Sequence, residues 1–156
     1  IRVYVSKNKN LKVSKNCKKI FKLEKKYLNK KTFQSFSDKV VSSKISLYSL
    51  LKKIKSNNKR IFGVGAPSRA ATLINYVGLN EDIVDCILEI TGSHKIGKYM
   101  PGTNIPIVNE KECFKKKPEY LLLLSWHISK SLIKVFRKKG FKGRFIIPLP
   151  TPRIVK

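Results

Sequence analysis

The sequence has few of the residues that build metal sites, disulfide frameworks and catalytic triads. Its three cysteines, Cys17, Cys86 and Cys113, are odd in number and far apart, which argues against a zinc knuckle or a CxxC redox pair and predicts no disulfide framework. With only two histidines, neither a metal pattern nor a serine, histidine and acid set at triad spacing is present. Thiols that stay reduced are typical of a cytoplasmic protein, and we expect that location.

A long apolar run is also missing. The longest, Tyr120 to Leu124, has the length of a strand, whereas a membrane helix needs about 20 such residues. We therefore expect no membrane partner. The apolar content of 42% is nevertheless that of a chain with a core, and 156 residues fit one domain with an appendage. Because the chain begins at Ile1 without a signal peptide, we expect it to be a piece of a longer polypeptide.

Acidic residues are scarce. The chain has nine of them and 35 Lys and Arg, for a net charge of +26. Such a charge is typical of proteins that bind nucleic acid. Only six of the basic residues are Arg, although Arg is better suited than Lys to bidentate contacts with phosphate or guanine. This pattern favours lysines on solvated faces and no specific nucleic-acid partner, while a basic nucleic-acid-binding protein stays an alternative.

The first 58 residues predict mainly helix. Alternating residues at Ile1–Val5 predict a short strand whose partners lie outside the chain. Apolar spacing predicts a short helix from Ser14 to Leu28 and a long one from Thr32 to Ser56. The sequence thus divides into a strand without partners at 1–5, a helical segment at 6–58 and a domain at 59–156.

From residue 60 onward, predicted strands and helices alternate. Such alternation favours a mostly parallel sheet with flanking helices, so we expect a Rossmann-like α/β fold preceded by the helical segment. The predicted strands are Arg60–Val64, Ile83–Leu88, Ile105–Val108 (strand or loop), Tyr120–Leu124 and Arg144–Ile147, and the predicted helices are Pro67–Tyr76, Glu110–Lys116 and Ile128–Lys139.

The first predicted strand of this domain runs into a glycine turn that opens a helix. In this context backbone amides can hold a phosphate, although Ser68 stands where a dinucleotide fingerprint has its third glycine, and a tight structural turn is an equal interpretation. Asp85 or Glu89, about twenty residues on, is placed to meet a ribose hydroxyl. The ligand-facing residues predicted here are Gly63, Gly65, Ala66, Ser68 and Arg69.

Two more segments carry candidate binding residues. The loop from Ser93 to Pro106 is long, polar and punctuated by glycine and proline, so it predicts ligand contact unless its lysines are merely solvated. Ser125 to His127 follow an apolar strand at the expected edge of the ligand crevice, where a histidine can donate to a ligand or cap the next helix. The candidates are His94, Lys95, Tyr99, Gly102, Thr103 and His127.

Four blocks of the sequence resemble the carboxy-terminal domain of sugar C-methyltransferases that depend on S-adenosylmethionine. They are GVGAPSRAATLINYVGL at 63–79, GSHKIGKYMPGTNIPIV at 92–108, LLLLSWHI at 121–128 and GRFIIPLPTPRIV at 143–155. The second block is the most specific. In addition, IRVYV at 1–5 resembles the last strand of the family's central methyltransferase domain.

The resemblance implies a division of labour. In that family a cysteine-rich zinc segment precedes a central cofactor domain, and a nucleotide-linked sugar lies between the central and carboxy-terminal domains. A ring carbon next to a ketone is methylated by proton removal and attack of the enolate on the methylsulfonium. The catalytic groups belong to the central domain, so the resemblance implies substrate binding here, no catalytic residue and no cofactor, with S-adenosylmethionine and zinc in the preceding part.

The implied partners are a nucleotide sugar, or another phosphorylated small molecule, and the upstream methyltransferase domain. Leu88-Glu89 and His127 stand where many sugar-methylating relatives have an Asp-containing strand end and an Asn after the Trp. This departure leaves the exact substrate open, with a modified sugar or a non-sugar acceptor as alternatives. A stand-alone Rossmann-like module that binds a nucleotide or dinucleotide is the alternative.

Overall fold

The computed structural model describes residues 2–8 and 10–156, and the chain divides into two compact units. The first unit ends at Val40 and the second begins at Val41, so the boundary falls inside the second helix. Within the described residues, no helix combines the length and the apolar character needed to cross a membrane.

The first unit contains α1 (Lys15–Tyr27) and the beginning of α2 (Lys30–Lys55). The Ser14 hydroxyl accepts a hydrogen bond from the Cys17 amide at 3.2 Å, and the Asn29 side chain accepts one from the Thr32 amide at 3.1 Å, so each helix begins at a side chain that satisfies a free amide. Both predicted helices are confirmed.

The predicted strand at the amino terminus stays a prediction, because its expected partners lie outside the chain. Residues 2–5 have no regular secondary structure, and Ile1 lies outside the described residues. A strand is stabilised by hydrogen bonds to a neighbour, and none of the described strands pairs with these residues.

The second unit is a six-stranded sheet with helices on both faces, which confirms the predicted Rossmann-like α/β fold. The strand order is β3-β2-β1-β4-β5-β6, and every pair is parallel except β5 with β6. After α2, its elements are β1 (Ile61–Val64), α3 (Ser68–Val77), β2 (Cys86–Glu89), β3 (Ile107–Asn109), α4 (Lys111–Lys116), β4 (Tyr120–Leu123), a 3-10 turn (Trp126–Ile128), α5 (Ser129–Lys138), β5 (Arg144–Ile147) and β6 (Arg153–Val155).

Two apolar clusters cover the opposite faces of the sheet, because successive strand residues point to opposite sides. Helices α2 and α3 contribute Leu51 and Ile74 to one cluster, and α4 and α5 contribute Cys113 and Phe136 to the other. The last turns of α2 therefore belong to the core of the sheet unit.

Two of the three thiols are buried in this core. Burial raises the pKa of Cys86 to about 12 and that of Cys113 to about 11, whereas Cys17 is partly exposed in the first unit. Because the thiolate is the reacting form, we expect one thiol per chain to react with DTNB at pH 8 and three after unfolding in urea. Rapid reaction of two or more thiols in the folded chain would contradict this burial.

Candidate functional site

The strand order reverses between β1 and β4, and this reversal creates a crevice. From β1 the chain moves outward through β2 and β3 and then returns to place β4 on the other side of β1. In open parallel sheets, ligands bind at such a switch point, outside the carboxyl ends of the strands. Two of the predicted binding segments follow these two strands: Gly65–Arg69 after β1 and Ser125–His127 after β4.

Gly65 makes the turn at the end of β1. Its φ of +81° lies in the left-handed region that favours glycine, and its amide donates to the Leu88 carbonyl at 2.9 Å. A Cβ at this position would lie 3.1 Å from the Ser125 hydroxyl. The close approach of the two chain segments therefore favours a glycine here.

Glu89 holds the other end of this turn. One of its carboxylate oxygens accepts a hydrogen bond from the Ala66 amide at 2.6 Å. The Lys95 ammonium donates to the Ala66 carbonyl at 2.7 Å and lies 4.0 Å from the same carboxylate. The Glu89 side chain is only 13% exposed and that of Lys95 is 37% exposed, so the carboxylate is mostly withdrawn from solvent while Lys95 stays accessible across the turn.

The occupied amide changes the interpretation of the glycine turn. The amide of Ala66 is bound to Glu89, and Pro67 has no amide hydrogen. A carboxylate at this position repels a phosphate that approaches the same amides. The turn is therefore suited to accepting hydroxyl groups at Glu89, with any anionic group held further out by side-chain cations.

Arg69 and His127 form the outer side of the crevice. Arg69 lies in the first turn of α3 and His127 in the 3-10 turn after β4, and Arg69 Nη1 is 3.2 Å from His127 Nδ1. A guanidinium can only donate hydrogen bonds, so Nδ1 accepts in this pair. Both side chains belong to exposed residues and are accessible to a ligand. We call Gly65–Arg69, Glu89, Lys95 and Ser125–His127 the switch-point site.

The glycine and proline loop extends away from this site after Lys95. Gly97 and Met100 donate to the carbonyls of Ile107 and Ile105 at 3.0 and 2.9 Å, so the loop folds back on itself beside β3. Its tip reaches the far part of α3, where the Asn75 side chain donates to the Pro101 carbonyl at 2.8 Å. Asn75 lies about 10 Å along the helix from Ser68, at 1.5 Å per residue.

Comparison with known proteins places the chain. Residues 1–150 match the sequence profile of the C-methyltransferase C-terminal domain. The chain belongs to this family. It is 30% identical over 126 residues to the C-methyltransferase NovU of Streptomyces niveus, an alignment that covers 79% of the chain and 29% of NovU. The chain thus spans less than a third of the length of this relative.

In this family member, five of the predicted site residues come together: Gly65, Ala66, Arg69, Lys95 and His127. Ser68 and His94 are exposed beside them, one at the start of α3 and one next to Lys95.

The structure does not bring the other four predicted residues to the crevice. Gly63 is buried within β1, where a Cβ would lie 2.9 Å from the Leu124 side chain. Gly102, with a φ of +80°, packs against Asn75, and the Thr103 hydroxyl donates to the Met100 carbonyl at 3.0 Å. Tyr99 pairs with Pro106 in the folded loop.

Asp85 is not a ribose-binding candidate. It lies just before β2, at the amino ends of the strands and away from the crevice. There its carboxylate accepts hydrogen bonds from the Ile61 amide at 2.8 Å and the Lys55 ammonium at 3.0 Å. Glu89 lies at the carboxyl end of β2, beside the glycine turn, where an acid that meets a ribose hydroxyl is expected. The distance in sequence from the glycine turn predicted an acid at this position, but it did not distinguish Glu89 from Asp85.

No group of three or more His, Cys, Asp or Glu side chains is arranged to hold a metal ion in the part of the chain that the structure describes.

Proposed function

We propose that this chain is the substrate-binding part of a C-methyltransferase that uses S-adenosylmethionine and acts on a nucleotide-linked keto sugar. The family membership supports the reaction class. The observation that carries the binding role is the switch-point site, where the Lys95 ammonium lies 4.0 Å from the Glu89 carboxylate and Arg69 is paired with His127 on the segments that follow β1 and β4. A diphosphate joined to a polyhydroxylated ring needs this combination of cations and a hydroxyl acceptor.

In this proposal, different side chains of the switch-point site bind different groups of the substrate. Arg69 and Lys95 bind diphosphate oxygens through charge-assisted hydrogen bonds, and Glu89 accepts a hydrogen bond from a sugar or ribose hydroxyl. His127, whose Nδ1 accepts from Arg69, presents Nε2–H to the substrate. These contacts position the substrate and contribute no step to methyl transfer, which we assign to an upstream methyltransferase domain together with S-adenosylmethionine and zinc.

The residues of the switch-point site do not fit S-adenosylmethionine well. Its methyl-donating sulfur is a cation, and Arg69 and Lys95 at the mouth of the crevice are cations as well, so the interaction is repulsive. S-adenosylmethionine, when bound upstream, supplies the electrophilic methyl group. A cytoplasmic location is part of the same proposal, and the free cysteines support it.

The proposal is tested by calorimetric titration of the chain with UDP-glucose and TDP-glucose. We expect the Arg69→Gln substitution to weaken binding of the sugar nucleotide by about tenfold or more, because loss of a hydrogen bond to a charged group costs about 1.5–3 kcal/mol and tenfold is about 1.4 kcal/mol. Lys134→Gln removes the same charge from an exposed position on α5 and is expected to change affinity by less than about twofold.

A thermal-shift comparison completes the test. We expect a larger rise in melting temperature with a sugar nucleotide than with S-adenosylmethionine or NAD, since a ligand stabilises the state that binds it. Equal weakening by Arg69→Gln and Lys134→Gln, or a larger shift with S-adenosylmethionine, would overturn the assignment of the site.

A further inference from the structure

A groove of about 800 Å³ lies at the amino ends of β4 and β5, whereas the switch-point site lies at the carboxyl ends of the strands. Its walls are the segment that leads into β4 and the segment that leads into β5, and Tyr120 is paired with Arg144 where these strands begin. We call it the amino-edge groove, and its lining residues are Lys59, Cys113, Phe114, Lys117–Tyr120 and Gly140–Arg144. Its volume falls within the range of small-molecule sites, about 300–1,000 Å³.

The wall formed by Gly140–Arg144 is held in one conformation. The guanidinium of Arg137 donates to the carbonyls of Phe141 and Gly143 and lies 4.7 Å from the centre of the Phe145 ring. The Arg144 amide donates to the Glu119 carbonyl at 2.8 Å and thereby joins this wall to the other. The groove is therefore preformed, which lowers the entropic cost of binding.

The amino-edge groove carries an excess of positive charge. Lys59, Lys117, Lys142 and Arg144 line it together with one acid, Glu119. The backbone amide of Arg60 and the ammonium of Lys59 bind Glu119 at 2.9 and 3.4 Å, and the amide in particular holds the pKa of this carboxyl below its usual range. Among the described residues, no carboxylate forms an ion pair with Lys117, Lys142 or Arg144.

The floor of the groove, formed by Cys113, Phe114 and Phe141, is apolar and partly aromatic. Phe114 is half-buried, and Cys113 and Phe141 are buried with it on the α4 and α5 face of the sheet. Tyr120 is half-buried and packs against the cluster on the other face. A planar ring can stack or pack edge-on against such side chains, whereas a simple anion gains nothing from them. The ligand that uses both features has phosphate groups for the three cations and a planar ring for the floor.

We infer that the amino-edge groove binds a nucleoside diphosphate, at a second site independent of the switch-point site. Lys117, Lys142 and Arg144 contact its phosphates, and the base packs on Phe114. The inference does not rest on the proposed function, because different residues at the amino ends of the strands carry it.

The test is calorimetric titration of the chain with UDP at about 150 mM salt, compared with pyrophosphate. The double variant Lys117→Gly and Arg144→Gln is expected to weaken UDP binding by about tenfold or more. Lys117 has a φ of +46°, so glycine suits its backbone, and Arg144 is exposed at the start of β5. Both substitutions should leave the fold intact, as circular dichroism checks.

Two comparisons make the test specific. The control Lys52→Gln and Lys53→Gln removes two charges from exposed positions on α2, and it should change UDP affinity by less than about twofold. Pyrophosphate should bind at least tenfold more weakly than UDP, since it leaves the floor empty. The inference is overturned by an equal loss in the control variant, by pyrophosphate binding as tight as UDP, by no UDP binding at all, or by loss of all UDP binding in Arg69→Gln.

Discussion

Replacing Leu51 by alanine is expected to lower the free energy of unfolding by about 3 kcal/mol, because removing a fully buried leucine side chain loses its transfer energy and leaves a cavity. Leu51 lies on α2, is 0% exposed and belongs to the apolar cluster on the α2 and α3 face of the sheet. Urea denaturation at pH 7, followed by tryptophan fluorescence of Trp126 at the sheet edge, measures the change.

Phe36→Ala is the matched control for Leu51→Ala. Both residues belong to the same apolar stripe of α2, but Phe36 is 66% exposed in the first unit. We expect its removal to change the free energy of unfolding by no more than about 0.5 kcal/mol. A cost for Phe36→Ala close to that for Leu51→Ala would show that the stripe is buried along its whole length.

The contrast between these two residues shows what apolar periodicity can predict. The spacing of Phe33, Phe36, Leu47 and Leu51 depends on local geometry alone, and it was sufficient to predict the long helix. Which part of the stripe is covered depends on strands that come later in the sequence. Leu47 and Leu51 are buried while Phe33 and Phe36 remain exposed, and no local pattern distinguishes the two pairs.

The sheet was predictable for a related reason. The buried strand Tyr120–Leu123 is a run of apolar residues and forms as predicted, with β1 and β5. Strand β6 was not predicted, because Arg153–Val155 has only three residues and forms by pairing with β5 at the edge of the sheet. Such a short strand depends on its neighbour more than on its own sequence.

At the switch-point site, the observed bounds of β2 distinguish Asp85 from Glu89, which spacing in the sequence did not. The predicted strand Ile83–Leu88 contained Asp85 and ended one residue before Glu89, whereas β2 begins at Cys86 and ends at Glu89. Asp85 therefore lies at the amino end of β2 and Glu89 at its carboxyl end. The composition of the glycine and proline loop was similarly ambiguous, because Gly102 and Thr103 make contacts that build the loop itself.

The tightest glycine position supplies the second large prediction. Gly143 lies in the wall of the amino-edge groove, where a Cβ would be 2.5 Å from the Glu119 carbonyl oxygen and 2.5 Å from the buried Phe141 ring. The backbone oxygen cannot rotate away as a side chain can, so one of the two walls must move. We expect Gly143→Ala to cost about 3 kcal/mol, which lowers the melting temperature by about 6–12 °C in a chain of this size.

Gly140→Ala, three residues earlier in the same loop, separates crowding from backbone strain. Gly140 has a φ of +92°, but no atom lies within 4 Å of its added Cβ, so its substitution should cost only about 1–2 kcal/mol of left-handed strain. Scanning calorimetry of both variants gives the difference directly. A Gly143→Ala variant as stable as Gly140→Ala would mean that the walls separate easily, and the preformed groove that favours nucleotide binding would then lose its physical basis.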